Sequence, residues 1–127
     1  MNKRILIVED NIPTLEVMTM MIEMDGYEVK GLSNAKNLLT EARNWKPDLL
    51  VLDIDLGGFD GRELCHYIKH ERGLSHLPII ITSAANATKL NSALDYGADA
   101  VLPKPFDIQK LSHLLHHHIR LIPADRQ

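Results

Sequence analysis

Five short apolar runs, each followed by a longer stretch with apolar residues every three or four positions, divide the chain. The first run, Ile5-Leu6-Ile7-Val8, has no polar interruption and reads as a β-strand buried on both faces. Asn11 is placed to cap a following helix, with Pro13 in its first turn. Leu15, Met18 and Ile22 recur at helical spacing, and Val17, Met21 and Met24 widen that stripe. Gly26 stands where a helix commonly ends. Residues 27–30 form a weaker second strand. Ser33 or Asn34 is expected to open a second helix carrying Ala35, Leu38, Leu39 and Ala42 and ending before Pro47. Asp48-Leu49-Leu50-Val51-Leu52-Asp53 is a third strand, and a loop over 54–60 holds Gly57, Gly58 and Asp60. A helix over 61–72 packs Leu64, Cys65 and Ile68. Pro78-Ile79-Ile80-Ile81-Thr82 is the fourth strand, 87–96 a helix, and Ala100-Val101-Leu102 a short fifth strand. The last helix, over 107–121, carries Ile108, Leu111, Leu115, Ile119 and Ile122 on one face. Leu114 and Leu121 lie at the edge of that stripe.

Strands alternating with helices imply right-handed βαβ units and a parallel sheet covered on both sides. The expected fold is α/β, an open doubly wound five-stranded parallel sheet in the order 2-1-3-4-5. At 127 residues, with 45% apolar and 24% charged residues, the chain is one ordinary domain. Its 14 basic and 17 acidic residues leave a formal charge of −3, which argues against non-specific nucleic-acid binding. No apolar run approaches the roughly 18 residues that would span a bilayer. The run after Lys3-Arg4 is too short for a signal peptide. The single cysteine, Cys65, excludes an internal disulfide and a multi-cysteine zinc site and reads as a small core residue. Together these features point to a soluble cytoplasmic protein without a membrane or nucleic-acid partner.

In such a sheet, ligands bind beyond the carboxyl ends of the strands, where the strand order reverses. The polar residues fall there. Glu9 and Asp10 end the first strand, Asp53 the third, and Thr82 and Ser83 the fourth, while Lys104 follows the fifth. Two carboxylates about 4 Å apart repel by roughly 4 kcal/mol at an effective dielectric near 20. Three together should hold a proton or bind a cation. Their hard oxygens suit Mg²⁺, with Mn²⁺ possible, better than zinc or copper. An acidic pocket with such an ion, a hydroxyl and a lysine is equipped for phosphoryl chemistry, and an aspartate can itself be the acceptor.

The chain resembles the receiver domain of two-component response regulators. The elements that carry the likeness are Ile5-Leu6-Ile7-Val8-Glu9-Asp10-Asn11, Lys46-Pro47-Asp48 running into Leu52-Asp53, and Phe59-Asp60-Gly61. Pro78-Ile79-Ile80-Ile81-Thr82-Ser83-Ala84 and Gly97-Ala98-Asp99 through Pro103-Lys104-Pro105-Phe106 complete it. The resemblance covers about residues 3–120, and the expected division is a receiver domain over 1–122 with a short tail over 123–127. It implies a flavodoxin-like topology and a place in a phosphorelay. It implies that Asp53 takes a phosphoryl group from a phosphohistidine of a sensor histidine kinase or histidine phosphotransfer protein. It further implies that Asp10 binds Mg²⁺ directly, Glu9 mainly through water, and Asp55 by its backbone carbonyl. Ser83 and Lys104 would hold the phosphoryl oxygens, and the Lys104–Pro105 bond would be cis. The domain would hydrolyse its own acyl phosphate without being a multiple-turnover enzyme, and would switch a docking surface for a downstream protein as a monomer or weak dimer.

The sequence also departs from the family. Val101 stands where an aromatic ring usually rotates inward on activation. Gly57-Gly58 replaces the usual Pro-Gly and is expected to loosen the loop. Asp55 adds a carboxylate two residues beyond the acceptor, expected to face solvent. Among seven histidines, His66/His70 and His113/His117 are pairs on one helical face, read as solvated rather than as a metal site. Two other functions fit parts of the pattern. Asp53-Ile54-Asp55 resembles the start of haloacid-dehalogenase-type phosphatases, and the same fold serves as a phosphorylation-independent interaction module.

Overall fold

The computed structural model describes residues 2–120. The expected tail over 123–127, together with Leu121 and Ile122, lies outside the described residues. Strands β1 (Arg4–Val8), β2 (Glu28–Leu32), β3 (Leu49–Asp53), β4 (Ile79–Ser83) and β5 (Ala100–Pro103) alternate with helices. These are α1 (Ile12–Met24), α2 (Leu38–Trp45), α3 (Gly61–His70), α4 (Ala87–Ser92) and α5 (Ile108–Arg120). A 3-10 turn over Ala93–Tyr96 extends α4. All strand pairs are parallel, in the order β2-β1-β3-β4-β5.

The uninterrupted apolar strands follow from a sheet covered on both faces. Successive side chains of a strand point to opposite sides. Leu6, Val8, Leu50, Leu52, Ile79 and Ile81 therefore pack with Leu38, Ala42, Cys65, Ile68 and Leu90 from α2, α3 and α4. Ile5, Ile7, Leu49, Val51 and Ile80 pack with Met18, Ile22, Leu111, Leu115 and Ile119 from α1 and α5. Each such Leu or Ile contributes about 1.5–3 kcal/mol through removal from water.

Local sequence explains most element ends, and in three places corrects the periodicity. Asn11 caps α1, its side chain accepting from Thr14 N at 2.9 Å, and Gly26 follows with φ 96°. The buried stripe of α1 is narrower than expected, because Val17 and Met24 are exposed at its edge. The second helix begins at Leu38, not at Ser33 or Asn34. Asn34 instead closes a local turn by accepting from Lys36 N at 3.0 Å, so Ala35 is buried ahead of the helix. Ile108 opens α5 exposed, leaving Leu111, Leu115 and Ile119 as its buried positions, while Leu114 packs at the edge of that core. Gly57 and Gly58 both have positive φ, 48° and 93°, and Leu56 N donates to Phe59 O at 3.2 Å across them. They close a turn that residues with side chains would strain.

Candidate functional site

The carboxyl ends of β1, β3, β4 and β5 place the site. β1 and β3 are neighbours at the point where strand order reverses, so Glu9 and Asp10 arrive beside Asp53. One carboxylate oxygen from each of the three lies within 4.8 Å of the others. Glu9 and Asp53 are buried and Asp10 is exposed at the mouth. Glu9 is fixed from its own loop, where its Oε2 accepts from Asn11 N at 3.1 Å.

Lys104 follows β5 and reaches across the site. Its Nζ donates to Asp53 Oδ2 at 2.9 Å and forms an ion pair with Glu9 Oε1. The Lys104–Pro105 peptide is cis, and Lys104 N donates to Ser83 O at 3.0 Å. Burial pushes the Glu9 carboxyl above its ordinary pKa, against the lowering effect of Lys104, and the nearby Asp53 charge pushes the same way. Burial alone would lower the Lys104 ammonium. Its bonds to Glu9 and Asp53 and their charges outweigh that and hold it above the ordinary lysine range.

Ser83 ends β4 fully buried, its Oγ accepting from Ala85 N at 2.9 Å. Thr82, also buried, is paired in register with Asp53. Val101 is half-buried against the core on the α2–α3–α4 side of the sheet. The Asp55 carboxylate is exposed, yet it is not free: Lys89 Nζ from α4 donates to its Oδ1 at 3.1 Å. Its backbone pairs with Asp60 in an isolated antiparallel bridge. Neither Lys89 nor Arg62, which binds Asp60, stood out in the sequence. Asp60-x-Arg62 was the only local signal, because Asp60 caps α3 by accepting from Arg62 N at 2.8 Å.

The donor set fits a hard divalent cation. Three carboxylates face one ammonium, an excess of two negative charges, and every ligand is oxygen. Among the described residues no group of three metal-capable side chains includes a histidine. His66 and His70 instead lie ring against ring at 4.2 Å, with His70 Nδ1 bonded to His66 O at 2.8 Å. Beside Lys104, the side chains of Pro13, Thr14, Val17, Ala84, Pro105 and Phe106 line an apolar hollow of about 470 Å³. Among the described residues no helix is long and apolar enough to cross a membrane.

The chain is similar to known proteins over most of its length. A family model described as the response regulator receiver domain matches residues 5–116. The chain is 30% identical over 112 residues to the DNA-binding response regulator MtrA of Mycobacterium tuberculosis, covering 87% of this chain and 48% of MtrA. It therefore spans about half the length of that curated relative. It is 32% identical over 111 residues to the polar-differentiation response regulator DivK of Brucella anthropi, covering 87% of this chain and 90% of DivK. Among solved structures, a response regulator receiver domain protein from Methanospirillum hungatei superposes with a TM-score of 0.85 at 28% identity. That match covers 94% of this chain and 95% of the other.

Proposed function

The chain belongs to the response regulator receiver domains of two-component signalling, and from that premise we propose that Asp53 is its phosphoacceptor. The observation that carries the reading is Lys104 Nζ bound to Asp53 Oδ2 within a trio of carboxylates at the switch point of the sheet. A carboxylate oxygen of Asp53 attacks the phosphorus of a phosphohistidine. The new O–P bond forms as the P–N bond breaks, and the imidazole leaves with the electron pair. Glu9, Asp10 and Asp53 would hold Mg²⁺, with the Asp55 carbonyl as a further ligand, and the ion would neutralise charge on the phosphoryl oxygens. Lys104 pairs with one phosphoryl oxygen and Ser83 donates to another. Two charge-assisted contacts of about 1.5–3 kcal/mol each approach the roughly 5.5 kcal/mol that moves a two-state switch from 1:99 to 99:1.

The phosphoryl donor is a histidine kinase or histidine phosphotransfer protein, in a cytoplasmic setting. The apolar hollow beside Lys104, with exposed Val17 of α1 in its wall, offers a surface for the segment bearing the phosphohistidine. Water then hydrolyses the acyl phosphate, so the domain is a timed acceptor and not a multiple-turnover enzyme.

Intact-mass measurement after incubation with acetyl phosphate tests this. The wild type should gain one phosphoryl group in Mg²⁺ and none in chelator, and Asp53→Asn, checked for folding by circular dichroism, should gain none. Equal labelling of Asp53→Asn, or no labelling of the wild type, would overturn it.

A further inference from the structure

Gly61 seats the start of α3 directly on the strand that carries Asp53. Its N–H donates to Ile54 O at 2.7 Å, and a Cβ at this position would lie 1.9 Å from Asp53 O. The backbone of the next residue, Arg62, is therefore held close to Asp53, and the Asp60 side chain accepts from its N–H at 2.8 Å. Its guanidinium forks onto Asp60, with Nε to Oδ1 at 3.1 Å and Nη2 to Oδ2 at 2.7 Å. The remaining arm, Nη1, donates to Ser92 Oγ at 3.0 Å, and Ser92 Oγ donates to Lys89 O at 2.6 Å. The same guanidinium lies 5.4 Å from the centre of the Tyr96 ring. One side chain thus joins the acceptor loop to both the end of α4 and the 3-10 turn.

The segment it holds needs holding. With six residues, α4 is far shorter than a helix that persists by itself. Only Leu90 and Ala93 of the segment are buried, while Ala87, Thr88, Asn91 and Leu94 face solvent. A second strut, Lys89 to Asp55, is more exposed and screened by water. The Arg62 side chain is only 20% exposed, and its planar fork loses less entropy per bond formed. Val101, half-buried and without a ring, offers no aromatic side chain to carry movement between the site and this face.

Resting on the assignment of Asp53 as acceptor, we infer that Arg62 is a positioning residue that ties the α4 segment to the acceptor loop and passes a change of charge at Asp53 to residues 87–96. A shift of the backbone around Asp53 and Ile54 moves Gly61 with it. The Arg62 fork then pulls or releases Ser92 and Tyr96.

Hydrogen exchange of amides 87–96 in the full chain, with and without acetyl phosphate and Mg²⁺, tests the inference, with intact mass read on the same samples. In the wild type, phosphorylation should change exchange of this segment at least about fivefold, the low end of coupling between sites. In Arg62→Ala, labelling of Asp53 should persist while that change falls below about twofold. Ser92→Ala leaves the Asp60 cap and ion pair intact and should lose most of the same response, which keeps the test decisive should Arg62→Ala unfold. An undiminished response in both labelled variants, or no response in the labelled wild type, overturns the inference while leaving the acceptor assignment standing. Absence of labelling in the wild type overturns the assignment itself, and the inference with it.

Discussion

Lys104 stands between two carboxylates that would otherwise face each other in the floor of the site. Glu9 is 1% exposed and Asp53 is 6% exposed at the side chain, so neither charge can turn to water for solvation. Breaking a buried pair by removing one partner costs more than the pair contributes, because a charge is left uncompensated. Lys104→Met should therefore destabilise the fold by about 3 kcal/mol in urea denaturation without divalent cation. The double variant Lys104→Met/Glu9→Gln should recover a large part of that loss. If the single variant is as stable as the wild type, Lys104 is not the counter-ion of this cluster. Asp55 teaches the converse lesson. Its carboxylate is exposed as the sequence implied, but Lys89, thirty-four residues away, holds it at 3.1 Å. No local pattern in the sequence could have paired them.

At the scale of elements, the start of α3 bears most directly on the site. Its first residue is the glycine whose Cβ would strike Asp53 O, Asp53 C and Ile54 Cα at 1.9, 2.8 and 3.0 Å, all backbone atoms. Nothing there can yield as a flexible side chain would. Gly61→Ala should cost at least about 3 kcal/mol, at the severe end of overpacking. Gly73→Ala, with open space around the added methyl and no left-handed backbone to strain, should be neutral or stabilise by about 0.4–1 kcal/mol. Thermal melts of the two variants side by side would settle this, and equal melting temperatures would refute the close approach. The same contrast marks what was legible in advance. The strands were readable because burial on both faces leaves an unbroken apolar run, whatever the neighbours are. Glu9, Asp10, Asp53, Ser83 and Lys104 could be placed because strand ends in a parallel sheet share one rim. The edge of a helical stripe was not readable: periodicity put Val17 and Met24 inside, and the packing leaves them out. Nor was the start of α2, where the Asn34 side chain bonds within its own turn and competes with capping a helix.

On the scale of the whole molecule, two cores lie on opposite faces of one sheet, and β1, β3 and β4 belong to both. Neither core can open without stripping a face from those shared strands, so the domain is expected to unfold as one unit. Cys65 reports on this directly. It is fully buried on α3 in the core on the α2–α3–α4 side, and burial pushes its thiol up to about 11. A neutral, enclosed thiol is a poor nucleophile, so a thiol-reactive dye at pH 8 should label Cys65 only through global unfolding. Its labelling midpoint in urea should then coincide with the loss of helical circular dichroism. Rapid labelling without denaturant would mean that α3 opens separately and that the two cores are not coupled. The raised thiol also fixes a sign for stability. Between the ordinary cysteine value near 9 and about 11, the folded chain binds more protons at Cys65 than the unfolded chain. The stability from this group is complete below that window and is lost as pH rises through it. Measured as the difference from Cys65→Ala, which has no thiol to titrate, the contribution should shrink between pH 8 and pH 11 and stay constant below pH 8.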